Sequence, residues 1–263
     1  MAASILLRKN GVRAEIIFNT PDRGNVYDRE TARQLWRAVQ DVRWDGNIKV
    51  VLLHSQGRLF SGGGDLKDFQ LAINEQRLPP MIEDLSMTLN ATILAVREMD
   101  KIFVSVVDGG CAGVGIGLAL AADISLVTEN ARFVAGYIGI AAVPDGGSSY
   151  AVLQAIGLPR ALDFFLTNGV IDGCRAAEIG LVSRFIPAEK INKEVEKLLR
   201  KLEKGPKAAL GKTKRLLRQG LNRSLPEYLE MERQGIISCA VGEEMREGVR
   251  AFLDKRPPDF SSP

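Results

Sequence analysis

The chain has 263 residues, of which 46% are hydrophobic and 25% are charged, and its formal net charge is +3. This composition supports a folded core of one or two domains and excludes a disordered chain. One histidine and three widely spaced cysteines exclude the common zinc and histidine-rich metal sites, so neither a metal nor another cofactor is expected.

Targeting and membrane signals are absent from the sequence pattern. The amino-terminal apolar run is too short for a signal peptide, and no segment offers ~20 uninterrupted apolar residues. An odd number of cysteines argues against a disulfide framework. We therefore expect a cytoplasmic protein without a membrane span. Its near-neutral charge does not favour a nucleic-acid partner.

The first two thirds of the chain alternate between strand and helix patterns separated by glycine-rich loops. This alternation predicts an α/β fold whose ligands bind where the loops meet the helices. The segment 70–85, which contains Pro79 and Pro80, and the segment 128–148 show neither pattern and are predicted to be irregular. The predicted strands are 14–19, 48–54, 102–107 and 124–127, and the predicted helices are 28–42, 85–98, 118–122 and 149–156.

The pattern changes near residue 192, where helices follow one another without strands. We divide the chain into a core, residues 1–191, and a helical region, residues 192–263. Basic residues between positions 201 and 223 are interpreted as a solvated helix face. They are also the one feature that favours RNA binding, but no aromatic residues alternate with them to stack bases. The predicted helices of this region are 195–202, 208–218, 225–238 and 243–252.

Two glycine-rich loops follow predicted strands, one at 60–69 and one at 108–118. Neither continues as a dinucleotide fingerprint or as a Walker-type phosphate loop. Glycine lets the backbone approach a ligand closely, and free N–H groups at the start of a helix attract an oxyanion. One N–H from each loop could converge on a thioester carbonyl and stabilise its enolate.

The two loops resemble the signatures of the enoyl-CoA hydratase/isomerase (crotonase) superfamily. The first is similar to FSAGADLK, and the second, with the residues that follow to 123, is similar to NGxAxGGGxxLAxxxD. The resemblance implies an α/β crotonase spiral of ββα units followed by a C-terminal helical region. It also implies an acyl-CoA or acyl-carrier-protein substrate and a homotrimer or dimer of trimers. Further matching segments are 21–25, 131–133, 143–147, 166–167, 178–182 and 247–258.

The same resemblance assigns expected roles to individual residues. The backbone N–H groups of Gly64 and Val114 are expected to hold the thioester oxygen. Val114 stands where the family has glycine, and its β-branched side chain predicts a negative φ. The residues expected to contact CoA or the acyl group are Arg23, Gly62, Gly63, Asp65, Leu66, Tyr137 and Lys255.

The candidate catalytic acid is Asp145. The two glutamates with which hydratases of this family add water correspond here to Gly117 and Tyr137, and neither can act as a carboxylate base. Asp145 lies in a Pro-Asp segment that resembles that of the phenylacetate-pathway (PaaG-like) isomerases, where the aspartate is the base. We therefore predict an enoyl-CoA isomerase in which Asp145 removes and returns a proton. A turn aspartate, or a cap for the helix that begins near 149, is the structural alternative.

Three other functions remain open besides RNA binding. The 4-chlorobenzoyl-CoA dehalogenases of the superfamily use an aspartate at this position as a nucleophile, with an aromatic residue like Tyr137 beside it. They also need a histidine where this chain has Asn90, whereas His54 lies in a predicted core strand and is expected to be packed and hydrogen-bonded. Hydratase-like activity and acyl-CoA binding without turnover are the remaining alternatives.

Overall fold

The computed structural model describes residues 3–220 and 222–260. Strands and helices alternate over the first two thirds of the chain, as predicted. The strands are β1 (Ile5–Asn10), β2 (Arg13–Phe18), β3 (Val50–Ser55), β4 (Leu59–Ser61), β5 (Ile102–Val107), β6 (Gly110–Ala112), β7 (Ile124–Val127), β8 (Arg132–Val134), β9 (Val170–Asp172) and β10 (Arg184–Phe185). The helices are α1 (Arg29–Trp44), α2 (Leu66–Asn74), α3 (Leu78–Glu98), α4 (Val114–Ala121), α5 (Ser148–Leu166), α6 (Gly173–Glu178), α7 (Ala188–Glu203), α8 (Lys207–Gly220), α9 (Leu225–Ala240) and α10 (Glu243–Leu253).

The strands form two sheets. The larger sheet has the order β1-β2-β3-β5-β7-β10, and its strands are parallel from β2 onwards. The smaller sheet has the order β4-β6-β8-β9 and consists of strands of three residues each. A strand of each sheet and a helix follow one another twice, as β3-β4-α2 and β5-β6-α4. These units confirm the predicted α/β spiral, and they bring both glycine-rich loops to one edge of the larger sheet.

The larger sheet is covered on both faces. Helices α1, α3 and α4 pack against one face of the sheet, around buried residues such as Phe18, Leu35 and Phe103. Helix α7 packs on the other face, where Val195 and Leu199 meet residues of β3, β5 and β7. The expected boundary between residues 191 and 192 lies inside α7. Parallel sheets are stable when both faces are covered in this way, so α7 contributes to the packing of the sheet.

Helix α3 corrects the sequence prediction for the segment 70–85. Most of the segment is helical and only residues 75–77 form a turn, since α2 extends to Asn74 and α3 begins at Leu78. Pro79 and Pro80 lie in the first turn of α3, where a backbone N–H has no partner within the helix. The prolines therefore mark the start of a helix rather than a break.

The basic segment between 201 and 223 is not simply a solvated face. Lys214 is buried, forms an ion pair with Asp123 at 2.9 Å, and donates hydrogen bonds to the carbonyls of Val96 and Lys101. Arg218 donates to the same Asp123 carboxylate at 2.7 Å. These charges fasten α8 to the core, so they are not available to a nucleic acid.

Two further expectations concern the membrane and His54. Within the described residues no helix is long and apolar enough to cross a bilayer, and the first two and last three residues lie outside that range.

His54 lies on β3 with its side chain partly buried. Its ring forms a hydrogen bond with the backbone of Ser55, while its Nε2 has no hydrogen-bond partner in the described part of the chain and lies 3.9 Å from a Glu15 oxygen.

Candidate active site

The first glycine-rich loop is held by the segment 20–25 that precedes α1. Asn25 is fully buried and donates from Nδ2 to the carbonyls of Gln56 and Leu59. The Ser61 hydroxyl donates to the Asn25 carbonyl at 2.9 Å, and the N–H of Gly62 donates to the Gly24 carbonyl at 2.8 Å. Buried polar groups with satisfied partners fix a loop in one conformation. The loop therefore presents the residues after Gly62 in a defined position.

The second loop turns sharply into α4. Gly113 has φ 51° and ψ −125°, a conformation that a side chain would strain, and it is the residue before the helix. Val114 is the first residue of α4, and it has the negative φ expected for a β-branched residue. Its N–H points from the start of a helix, where the helix dipole favours negative charge.

The two loops meet backbone to backbone. The Gly63 Cα lies 3.7 Å from the position that a Cβ of Gly113 would occupy, and a Cβ on Gly63 would lie 3.1 Å from the Ala112 carbonyl oxygen. Within residues 3–220 and 222–260, neither the Gly64 N–H nor the Val114 N–H forms a hydrogen bond. Two adjacent N–H donors without internal partners form a potential oxyanion hole.

Asp145 lies beside these loops in a partly buried turn. Its backbone carbonyl accepts hydrogen bonds from the Ser148 N–H at 3.0 Å and from the Ser148 hydroxyl at 2.8 Å. The following residues Gly146 and Gly147 have φ of +55° and +68°, which glycine adopts without strain. Gly147 itself caps α5, with no side-chain capping bond, so Asp145 is not the cap of that helix.

The Asp145 carboxylate is held by hydroxyl groups. The Tyr137 hydroxyl donates to its Oδ1 at 3.1 Å, and the same hydroxyl lies 3.1 Å from Ser148 Oγ. Burial raises the pKa of Asp145, while hydrogen bonds from Tyr137 and Ser86 lower it. In the described residues no lysine, arginine or histidine forms an ion pair with Asp145. The carboxylate is therefore a stronger base than an exposed aspartate.

Tyr137 connects the second loop with Asp145. Its ring is buried, and its Cζ lies 4.0 Å from the position that a Cβ of Gly113 would occupy. Burial and the neighbouring Asp145 charge raise the pKa of its hydroxyl, so Tyr137 is a hydrogen-bond donor at neutral pH. Tyr137 was expected to contact CoA or the acyl group, and the structure adds that it hydrogen-bonds to the candidate base.

Three carboxylates gather behind the first loop. Oxygen atoms of Asp28, Asp65 and Asp68 lie within 4.8 Å of one another. The Arg23 guanidinium donates to Asp28 at 2.7 Å and to Asp65 at 2.8 Å, which places one positive charge between two of them. Asp65 also caps α2 by accepting from the Lys67 N–H at 2.9 Å. These contacts assign Asp65 to bracing the loop.

The other expected binding residues do not all lie together. Leu66 is exposed on the first turn of α2, beside the loops. Lys255 follows α10, and that end of the chain lies near the amino-terminal end of β3, on the side of the larger sheet opposite the glycine-rich loops. There Lys49, the residue before β3, donates to the Phe260 carbonyl at 3.3 Å. Asn90, the residue at the position of the dehalogenase histidine, is exposed on α3.

Sequence reasoning missed Tyr27 and Ser86. Tyr27 is 2% exposed, and its N–H donates to the Gly63 carbonyl at 2.7 Å. Its hydroxyl has no partner among the residues that the structure describes, and burial followed by the charge of Asp145 raises its pKa. Ser86 lies in the predicted helix 85–98, but nothing there indicated a contact with Asp145. No pattern in the sequence marks either residue, because both act through contacts distant along the chain.

Comparisons with known proteins identify the family. A family model described as "Enoyl-CoA hydratase/isomerase" matches residues 8–263. The "Trans-2-decenoyl-[acyl-carrier-protein] isomerase" of Streptococcus mutans is 27% identical over 96% of this chain and 95% of its own length. The 1,2-epoxyphenylacetyl-CoA isomerase of Escherichia coli is 28% identical, with 94% of each chain covered.

A solved structure of an enoyl-CoA hydratase is also similar to this chain. The crystal structure of an enoyl-CoA hydratase from a Polaromonas species superposes with a TM-score of 0.90 at 25% identity, covering 97% of this chain and 98% of the other. The matches extend over nearly all of the chain and include the two loops and the Asp145 turn. The protein is therefore a member of the enoyl-CoA hydratase/isomerase family of enzymes.

Proposed function

We propose that the protein is an isomerase that moves the double bond of an enoyl thioester, with Asp145 as its only acid and base. The observation that carries this proposal is the carboxylate itself: it is partly buried, it has no cationic partner in the described residues, and Tyr137 holds it beside the paired loops. The positions of both hydratase glutamates hold Gly117 and Tyr137, which do not activate water.

The proposed reaction needs one proton and no water. The Asp145 carboxylate removes a proton from C2 of a 3-enoyl thioester, and the C–H electrons form a dienolate whose oxygen accepts hydrogen bonds from the Gly64 and Val114 N–H groups. The protonated Asp145 then gives its proton to C4. The double bond moves from C3–C4 to C2–C3, and the carboxylate is restored.

The substrate is proposed to be an acyl thioester of CoA or of acyl carrier protein. Both carriers present the same thioester and pantetheine arm, and the two isomerases reported above are named for one carrier each. Arg23, Leu66 and the glycines at positions 62 and 63 are proposed to contact that arm, because they belong to the first loop or, for Arg23, bind its Asp65. The experiment below includes both carriers.

A homotrimer or dimer of trimers is the proposed assembly. Helices α9 and α10 expose apolar side chains in a single chain, among them Leu229, Ile236, Val249 and Phe252. An exposed apolar surface of this kind is typical of a subunit interface. Lys255 lies at the edge of the sheet opposite the loops, so we propose that it contacts the CoA of a neighbouring subunit.

The test is to incubate the purified protein with 3-enoyl and 2-enoyl thioesters of CoA and of acyl carrier protein. We expect conjugated 2-enoyl product from the 3-enoyl substrate and no 3-hydroxyacyl product. Rapid hydration would instead show hydratase activity, and thioester binding without turnover would show a non-catalytic protein. Chloride release from 4-chlorobenzoyl-CoA would show a dehalogenase.

The pH profile of the Tyr137→Phe variant tests the role of the carboxylate. The base must be ionised, so kcat/KM falls as the pH drops through the pKa of Asp145. The Tyr137 hydrogen bond lowers that pKa, so its removal raises the pKa and moves the acid limb to higher pH. Tyr228→Phe, on α9, is the matched control. An acid limb that stays in place in the Tyr137 variant would contradict this role.

A further inference from the structure

The turn that carries Asp145 is fitted tightly between α3 and α4. The Gly146 carbonyl oxygen lies 2.0 Å from the position that a Cβ on Gly117 would occupy, and the Ser148 nitrogen lies 3.2 Å from the same position. On the other side, a Cβ on Gly146 would lie 2.5 Å from Leu89 Cδ2. The backbone at residue 146 therefore lies between the Leu89 side chain and Gly117, and the Gly117 side has no room for another carbon.

The contact at Gly117 is made with backbone atoms, so a side chain there cannot be relieved by a rotamer change. Displacing the Gly146 carbonyl would also move Asp145, because the Asp145 carbonyl accepts hydrogen bonds from the Ser148 N–H and hydroxyl in the same turn. The hydrogen bond from Tyr137 to the carboxylate would change as well. Position 117 thus controls where the carboxylate lies.

Position 117 is also where the hydratases of the family have their first glutamate. In this chain the glutamate is not only absent: the backbone of the Asp145 turn fills the space where its Cβ would be. A glutamate side chain at this position of α4 and the present position of Asp145 therefore cannot occur in the same structure.

We propose that Gly117 is a positioning residue that decides which reaction the site performs. Without a Cβ it lets the Asp145 turn pack on α4, which places the single proton-transferring carboxylate. The same contact excludes the second carboxylate that water addition requires. This inference rests on the proposed isomerase function and adds the structural reason for its reaction specificity.

The variants Gly117→Ala and Gly117→Glu test the inference, with Gly235→Ala as the control. Gly235 lies in α9, and a Cβ there has no heavy atom within 4 Å. For Gly117→Ala we expect kcat for isomerisation to fall by about 100-fold while KM changes by less than about threefold, since the base is displaced and the thioester loops are not. Gly117→Glu is expected to gain no activity in the hydration of 2-enoyl-CoA. Circular dichroism and thermal melting establish that each variant is folded.

Two results would overturn the inference. One is a Gly117→Ala enzyme with the kcat of the wild type, and the other is a folded Gly117→Glu enzyme that hydrates 2-enoyl-CoA. A measurement on the wild type does not depend on variant folding: incubation with 2-enoyl-CoA in ¹⁸O water should give no labelled 3-hydroxyacyl product. A wild type that isomerises and also hydrates contradicts this inference alone, whereas a wild type that performs neither reaction contradicts the proposed function.

Discussion

The Asp145→Asn variant should lose nearly all isomerisation and remain folded. A positioned general base contributes about 10²–10⁴-fold to a proton transfer, and no other carboxylate contacts Tyr137 in the described residues to replace it. Asparagine has the same shape, and its carbonyl oxygen can still accept from the Tyr137 hydroxyl. The rate of appearance of the conjugated enoyl thioester, followed by ultraviolet absorbance, gives the loss directly.

The stability of Asp145→Asn should match or exceed that of the wild type at neutral pH. Burial raises the pKa of Asp145 above its value in the unfolded chain, so the folded state prefers the neutral carboxyl. This preference stabilises the folded state at low pH, and the stabilisation is lost as the pH rises through the folded-state pKa. At pH 7 the folded state holds an unfavourable charge, which asparagine removes.

Asp163→Asn, an exposed change on α5, is the matched control and should leave both the rate and the melting temperature unchanged. Calorimetric binding of a saturated acyl-CoA should be similar in the wild type and in Asp145→Asn. Isomerisation by Asp145→Asn at the wild-type rate would show that another group is the base. A large drop in its melting temperature would show that the carboxylate serves the fold.

The four central strands of the larger sheet could be predicted from the sequence because they are apolar runs, whereas the outer strands β1 and β10 were not predicted. Strands β5 and β7 have the predicted bounds, since each is a buried run next to a glycine or a polar turn. The smaller sheet could not be predicted, because strands of three residues show no periodicity. Proline was misleading at one place, because Pro79 and Pro80 lie in the first turn of α3. The predicted end of a helix at 156 agrees with a break inside α5, since Gly157 has φ 77° and ψ 166° and is not helical.

The candidate site was predictable where the chemistry lies in the backbone and not where it depends on packing. The glycine spacing indicates two loops that expose N–H groups, and the scarcity of other proton carriers indicates Asp145. The slot between Leu89 and Gly117 and the buried hydroxyl of Tyr27 depend on the distance between helices, which one sequence does not give. Residues that act through tertiary contacts are therefore the ones that sequence reasoning misses.

The Val114→Pro variant should remove one donor of the oxyanion hole and little else. Val114 is the first residue of α4, a position at which proline fits because its fixed φ suits the helix and its missing N–H has no partner in the helix. The preceding Gly113, with φ 51° and ψ −125°, lies outside the α region that a following proline disfavours. Loss of one oxyanion donor lowers kcat by about 10²–10³-fold.

Val114→Ala separates the lost N–H from the lost side chain, because alanine keeps the donor and shortens the side chain further. It should retain most of the wild-type kcat, so the two variants together isolate one hydrogen bond. The same deletion at Gly64 is unsuitable, since a Cβ there would lie 2.9 Å from the Phe69 ring. Equal losses in Val114→Pro and Val114→Ala would assign the effect to packing. A Val114→Pro enzyme with an unchanged kcat would show that the thioester oxygen is held elsewhere.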